Sequence, residues 1–220
     1  MTTHYIQVGS EQEYSQMIAD NEHHMQKLEE IIKASGECLE GNCFYEHQTF
    51  TRLNCYLNKQ RNIYSLAKAC NNILEIGLNA GHSSLIMLLA NPNCKITAFD
   101  LCEHKYTKPC CQYLNTMFND RITLIEGDSN TAIPVAGQIF KTKYDLFHID
   151  GGHTMTIANT DFQNCKKLAH KNSYVIFDDT QIPELGYLWR QYIQNNEVQE
   201  VDGLLQTQVY THAVGLYKIN

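Results

Sequence analysis

The run Leu74-Glu75-Ile76-Gly77-Leu78-Asn79-Ala80-Gly81-His82-Ser83-Ser84 constrains this chain more than any other stretch. An apolar strand enters a glycine-punctuated turn that opens directly into a helix. Gly77 permits the tight exit from the strand, and Gly81 lets backbone approach a ligand or a neighbouring element with no Cβ in the way. An acidic residue, Glu75, stands two positions before the first glycine. The spacing is Glu-x-Gly-x-x-x-Gly, a nucleotide-handling turn if ligand-facing residues follow at later strand ends, and a plain strand-to-helix connection if none do.

From Asn72 onward, short β-rich runs alternate with helical ones, the pattern of a mainly parallel sheet with crossover helices. The candidate strands are Ile73 to Ile76, Lys95 to Phe99, Ile122 to Glu126, Asp145 to Ile149 and Tyr174 to Phe177. Helices are predicted at Ser83 to Ala90, about Cys110 to Phe118, Thr131 to Ala136, about Met155 to Ala169 and about Pro183 to Asn195. Val198 to Val201 and Val209 to Lys218 are expected to form an antiparallel hairpin at the edge. The fold class is α/β: a Rossmann-like, doubly wound, mainly parallel seven-stranded sheet with an antiparallel C-terminal edge hairpin. One domain is expected over residues 1–220, with 1–71 a helical extension and 72–220 the core. In the extension, Ser10 and Glu13 have capping-box spacing ahead of Tyr14, Met17, Ile18, Met25, Leu28, Ile31 and Ile32, predicting a helix from about Glu11 to Lys33 that ends near Gly36. A second helical region is expected over roughly Tyr45 to Ala69, and both serve to pack against the sheet.

In an open parallel sheet the ligand lies beyond the carboxyl ends of the strands. Asp100 ends the second strand, Asp128 and Ser129 follow the third, Asp150 ends the fourth, and Asp178 with Asp179 end the fifth. A lone Asp among these reads equally well as a helix cap or a turn carboxylate. Five at one sheet edge are harder to reduce to caps. Asp100 is placed to accept hydrogen bonds from ribose hydroxyls. Asp150, Asp178 and Asp179 would repel one another, with no Lys or Arg close by in sequence. A hard divalent cation, Mg²⁺ or Mn²⁺, resolves that repulsion and can lower the pKa of a bound substrate hydroxyl. His153, just past Gly151-Gly152, is placed to take the proton of that hydroxyl.

On these motifs, above all His148-Ile149-Asp150-Gly151-Gly152-His153 and the pair Asp178-Asp179, the region from about Asn72 to Asp179 resembles class I S-adenosylmethionine (SAM) dependent methyltransferases. Within that class it resembles the metal-dependent O-methyltransferases that include the macrolide-sugar enzymes, macrocin and mycinamicin O-methyltransferases among them. The resemblance implies that Glu75, Gly77, Asn79, Gly81 and Ser83 surround the methionine portion of SAM, that Asp100 holds the ribose, and that Asp128 and Ser129 lie near the adenine. It also implies Asp150 at both the cofactor and the metal, Mg²⁺ or Mn²⁺ on Asp150, Asp178 and Asp179, and His153 as base. Catechol-type relatives carry a lysine where this chain has His153, a departure that favours a sugar or other vicinal-diol acceptor. A catechol or phenol acceptor, or a SAM-binding module without catalysis, are the alternatives.

Composition bounds the partners. The formal net charge is −7, and no Lys/Arg block stands out, so nucleic acid is not expected. No apolar run reaches the roughly 20 residues that span a bilayer, so no membrane segment is expected. Nine cysteines, an odd count with no signal-peptide pattern, read as free thiols in a reducing, cytoplasmic setting. Cys102, His104, Cys110 and Cys111 lack paired Cys-x-x-Cys spacing and are read as thiols and a loop histidine, not as zinc ligands. The expected partner is a small-molecule or glycan substrate, and the outer face of the N-terminal helix is available to a homo-oligomer.

Overall fold

Residues 4–46 and 48–219 are described by a computed structural model. The core carries β1 (Asn72–Ile76), β2 (Lys95–Asp100), β3 (Ile122–Glu126), β4 (Tyr144–Ile149), β5 (Ala169–Phe177), β6 (Val198–Glu200) and β7 (Ala213–Tyr217). These make a seven-stranded sheet in the order β3-β2-β1-β4-β5-β7-β6. The first five strands are parallel, while β7 runs antiparallel to both β5 and β6. The strand order reverses between β1 and β4, which opens the crevice where ligands bind in sheets of this kind.

Period-2 alternation assigns the strand residues to two buried faces. Ile73, Ile96, Leu146 and Ile176 point to one, Leu74, Phe99, Phe147 and Phe177 to the other. The first face is covered by α3 (Leu57–Ala67), α4 (His82–Ala90) and α5 (Thr107–Met117), with α1 (Glu11–Asp20) and α2 (Glu22–Ser35) joined to the same core. The second lies under α6 (Ser129–Phe140), α7 (Met155–Leu168) and α8 (Pro183–Gln194). None of the described helices is long and apolar enough to cross a membrane.

Two expected helices take a different form. The stretch from Glu11 to Lys33 is not continuous, because Asn21 stands between α1 and α2 at φ −114°, ψ 18° and its Nδ2 donates to Met17 O at 2.8 Å. A short amide side chain that bonds local backbone competes with the helix at that point. α2 then ends on Gly36 in the left-handed region, as the sequence suggests. Of the stretch from Tyr45 to Ala69, only Leu57–Ala67 is α-helical, preceded by a 3-10 turn at Asn54–Tyr56. Ahead of it, Asn42 Oδ1 accepts the Phe44 and Tyr45 N–H groups, Thr49 Oγ1 accepts the Thr51 N–H, and Tyr45 bridges Arg52. These local bonds leave a loop that reaches over the sheet edge.

Candidate active site

Gly77 ends β1 at φ 86°, and a Cβ there would stand 1.9 Å from the Asp150 carbonyl oxygen. The ends of β1 and β4 can approach this closely only around a glycine. Gly81 serves another purpose. It caps α4 at φ 80°, and a Cβ on it would meet Leu114 Cδ1 of α5 at 2.6 Å, so it permits helix contact and does not line the ligand space.

Beyond the strand ends lies a cleft of about 890 Å³. One half is walled by Gly77, Asn79, Ser83, Asp100, Asp128, Ser129 and Asp150, residues singled out in the sequence for a cofactor. Asp100 accepts the Asn79 N–H at 2.8 Å and the Cys102 N–H at 2.7 Å, one on each carboxylate oxygen. Its remaining lone pairs are free to receive hydroxyls. Asp128 is the N-cap of α6, accepting the Asn130 N–H at 3.0 Å, so it is a cap as well as a wall residue. The Asn79 side chain donates to Glu40 O and Gly41 O, tying the N-terminal loop to the turn after β1. The other half of the cleft is lined by that loop (Cys43, Tyr45), by Tyr56 and Lys59, and by Gln181 and Tyr210. The Tyr56 and Tyr210 rings stack with centroids 5.3 Å apart.

Glu75 does not line the cleft. It is completely buried on the α3/α4 face of the sheet, where it accepts hydrogen bonds from the Ser83 and Ser84 hydroxyls and from His148 Nδ1 at 3.0 Å. Strand parity explains this: Glu75 shares its face with Ile73, and in the β1–β4 register it stands beside His148. Its carboxylate thus braces the turn and the first turn of α4 from behind.

The three aspartates at the ends of β4 and β5 are close, yet they do not form one uncompensated trio. Lys59, from α3, places its ammonium 2.5 Å from Asp178 Oδ2, and His148 Nε2 lies 3.8 Å from the same oxygen. The ligand atoms fall into two groups, each within 4.8 Å: His148, Asp150 and Asp178 in one, Asp150, His153 and Asp179 in the other. Asp179 adopts φ 55°, and its two oxygens meet His153 Nε2 and Gln181 Nε2, each at 2.8 Å. Burial and the nearby Asp178 carboxylate push the Asp150 carboxyl up to about 7. Burial opposes ionisation of Asp178 as well, but the Lys59 ammonium and His148 hold it well below the usual carboxylate range. His148 is pushed up to about 10 by its two carboxylate partners, which outweigh the cost of burying its charge. The hydrogen bond to Asp179 raises His153. Two carboxylates with an adjacent imidazole, open to the cleft, suit a divalent cation that keeps positions for water or substrate.

Sequence reasoning missed Lys59. The available signal was its place on a helical stripe with Ile63 and Leu66, where a lysine is buried only if paired. All nine cysteines are free, and no group of potential metal ligands among the described residues includes one of them.

The model of a methyltransferase domain family matches residues 74–180. No curated protein sequence matches the chain. Among solved structures, a putative caffeoyl-CoA O-methyltransferase from Staphylococcus aureus superposes with TM-score 0.62 at 17% identity, over 94% of this chain and 99% of its own. The O-methyltransferase TomG from Streptomyces achromogenes, of tomaymycin synthesis and solved with SAM, gives 0.60 at 16% identity, over 72% and 79%. A TDP-rhamnose 3'-O-methyltransferase of calicheamicin biosynthesis gives 0.57 at 17% identity, over 72% and 76%. These likenesses establish a shared fold.

Proposed function

We infer that this chain, whose residues 74–180 match the model of a methyltransferase domain, is a SAM-dependent O-methyltransferase acting on a hydroxyl of a vicinal-diol acceptor, a sugar or glycoconjugate in the leading reading. The observation that carries the reading is a single cleft, at the reversal of strand order, walled by the Gly77 turn, Asp100, Asp150 and His153. SAM lies in the half between Gly77 and Ser129. Its methionine end runs along Gly77, Asn79 and Ser83, its ribose hydroxyls donate to Asp100, and its adenine rests near Asp128 and Ser129. The acceptor occupies the half under Tyr56 and Tyr210.

The acceptor oxygen attacks the SAM methyl carbon in line with the carbon–sulfur bond. The new carbon–oxygen bond forms as the carbon–sulfur pair returns to sulfur, leaving S-adenosylhomocysteine. The hydroxyl proton passes to His153, whose ring Asp179 holds by the 2.8 Å contact. Much of the acceleration comes from holding two bound molecules in a reactive geometry. Asp150 and Asp179 would hold Mg²⁺ or Mn²⁺, which would supply Lewis acidity that favours the ionised acceptor oxygen.

A phenolic acceptor is the second reading, favoured by the stacked Tyr56–Tyr210 pair, which suits a planar ring. The calicheamicin neighbour is a TDP-rhamnose 3'-O-methyltransferase and the Staphylococcus aureus neighbour a putative caffeoyl-CoA O-methyltransferase, so the shared fold does not choose between the two acceptor classes. Calorimetric binding of S-adenosylhomocysteine, followed by a methyl-transfer screen of glycosides against catechols with and without a chelator, tests the proposal. Cofactor binding with no transfer to either class would leave a binding module, and transfer confined to catechols would reverse the acceptor order.

A further inference from the structure

Glu75 on β1, His148 on β4 and Ile176 on β5 occupy one register row, and Asp178 follows two residues after Ile176 on the same face. Against this row stands α3, which brings Lys59 down on the stripe it shares with Ile63 and Leu66. The side chains of Lys59, Asp178, His148 and Glu75 are 6%, 1%, 1% and 0% exposed. Lys59 meets Asp178 at 2.5 Å, Asp178 meets His148 at 3.8 Å, and His148 donates to Glu75 at 3.0 Å. Glu75 is held in turn by two serine hydroxyls. The Lys59 ammonium thus sits on Asp178, and His148 joins that pair to Glu75, in a buried row that meets the cleft at Lys59.

We propose that Lys59 is a positioning residue that withdraws Asp178 from the cation site, so that a divalent ion in this cleft is held by Asp150 and Asp179 without Asp178. The proposal rests on the cation-assisted reading above. An ion that recruited Asp178 would strand a buried ammonium, a costly arrangement because a charge removed from water without its partner is strongly destabilised. The backbone acts in the same sense. At φ 55°, Asp179 turns from the buried row toward the cleft, where its carboxylate meets His153 and Gln181. Asp178 is absent from the wall of the main cleft, which Lys59, Asp150, His153 and Asp179 line, and it borders only a small side pocket shared with Asp150, His153 and Asp179. One or two carboxylates completed by water and substrate oxygens are an ordinary way to hold Mg²⁺ or Mn²⁺.

The test is Mn²⁺ binding to the full chain, read by electron paramagnetic resonance in the presence of S-adenosylhomocysteine. Asp150→Asn and Asp179→Asn are expected to weaken Mn²⁺ by about tenfold or more, while the neutral pair Lys59→Met/Asp178→Asn stays within about threefold of wild type. Lys59→Met alone, which frees Asp178, is expected to tighten Mn²⁺ by about tenfold. Loss of Mn²⁺ in the pair as deep as in Asp150→Asn overturns the proposal, and so does unchanged or weaker binding in folded Lys59→Met. Should the single variant fail to fold, the pair decides. A wild type that binds S-adenosylhomocysteine but no Mn²⁺ removes the cation reading and this proposal with it, leaving the cofactor reading intact. A wild type that binds neither removes the functional reading itself.

Discussion

Asp178 and Asp179 are neighbours in sequence at the end of one strand, yet they live in different chemistry. Asp178 faces inward to Lys59 and His148 and is 1% exposed. Asp179, turned by a left-handed backbone, faces the cleft with a histidine that is 57% exposed. The lesson is that close carboxylates do not define a metal site. What decides is whether the protein has already supplied the compensating charge. Asp161 of α7 is a third case: it is completely buried, its Oδ1 accepts from Asn130 Nδ2 at 3.0 Å, and its Oδ2 has no hydrogen-bond partner. With no cation at hand, burial pushes its carboxyl up to about 6, whereas that of Asp178 is lowered.

The largest expected effect breaks the buried side. Lys59→Met alone leaves Asp178 buried without its ammonium and should cost about 3–5 kcal/mol in urea unfolding, most of it recovered when Asp178→Asn is added. A loss under about 1 kcal/mol would make this pair no more consequential than a surface one. On the open side, His153→Ala should leave S-adenosylhomocysteine affinity and thermal stability in place while turnover with an identified acceptor falls about 10²-fold. Wild-type turnover in that variant would remove His153 from the mechanism. Further along the cleft, Asp100→Asn should weaken S-adenosylhomocysteine by about tenfold in calorimetry, since one charged acceptor for the ribose is lost. Unchanged affinity would reassign Asp100 to bracing the backbone of Asn79 and Cys102.

The smallest effect concerns Asp161. Its folded pKa, about 6, lies above the ordinary 3.8, so between these values the native state holds more protons than the unfolded one. Its contribution is therefore most favourable at low pH and declines as pH rises through that window. Asp161→Asn should flatten this decline and slightly raise the melting temperature at pH 7. Parallel melting curves for the two proteins from pH 4 to 7 would show this buried carboxylate to be inconsequential.

The core was legible because its signals are local. Alternating apolar residues predict β1 to β5 to within a residue or two at most ends, with β5 extended at its start to Ala169. Gly77, Asp100, Asp150 and His153 stand where a strand-end argument puts them, along one cleft. The first third was less legible. Its apolar spacing predicts helices, but Asn21 divides one of them, and the bonds of Asn42 and Thr49 replace the start of the next. The surroundings of Glu75 and Asp178 were less legible for a related reason. A carboxylate beside a glycine turn or a strand end reads as ligand-facing until strand parity and the opposing helix are taken into account.

The order of apolar and polar residues was enough to determine a parallel sheet, its crossover helices and the edge at which a ligand is met, because each depends on periodicity within a few residues. Which carboxylates stay reactive depended on Lys59 arriving from a helix far upstream and on the direction in which Asp179 turns. Only the tertiary structure decides such matters, since the free energy of a buried charge depends on what lies within a few ångströms of it in space, whatever its separation along the chain.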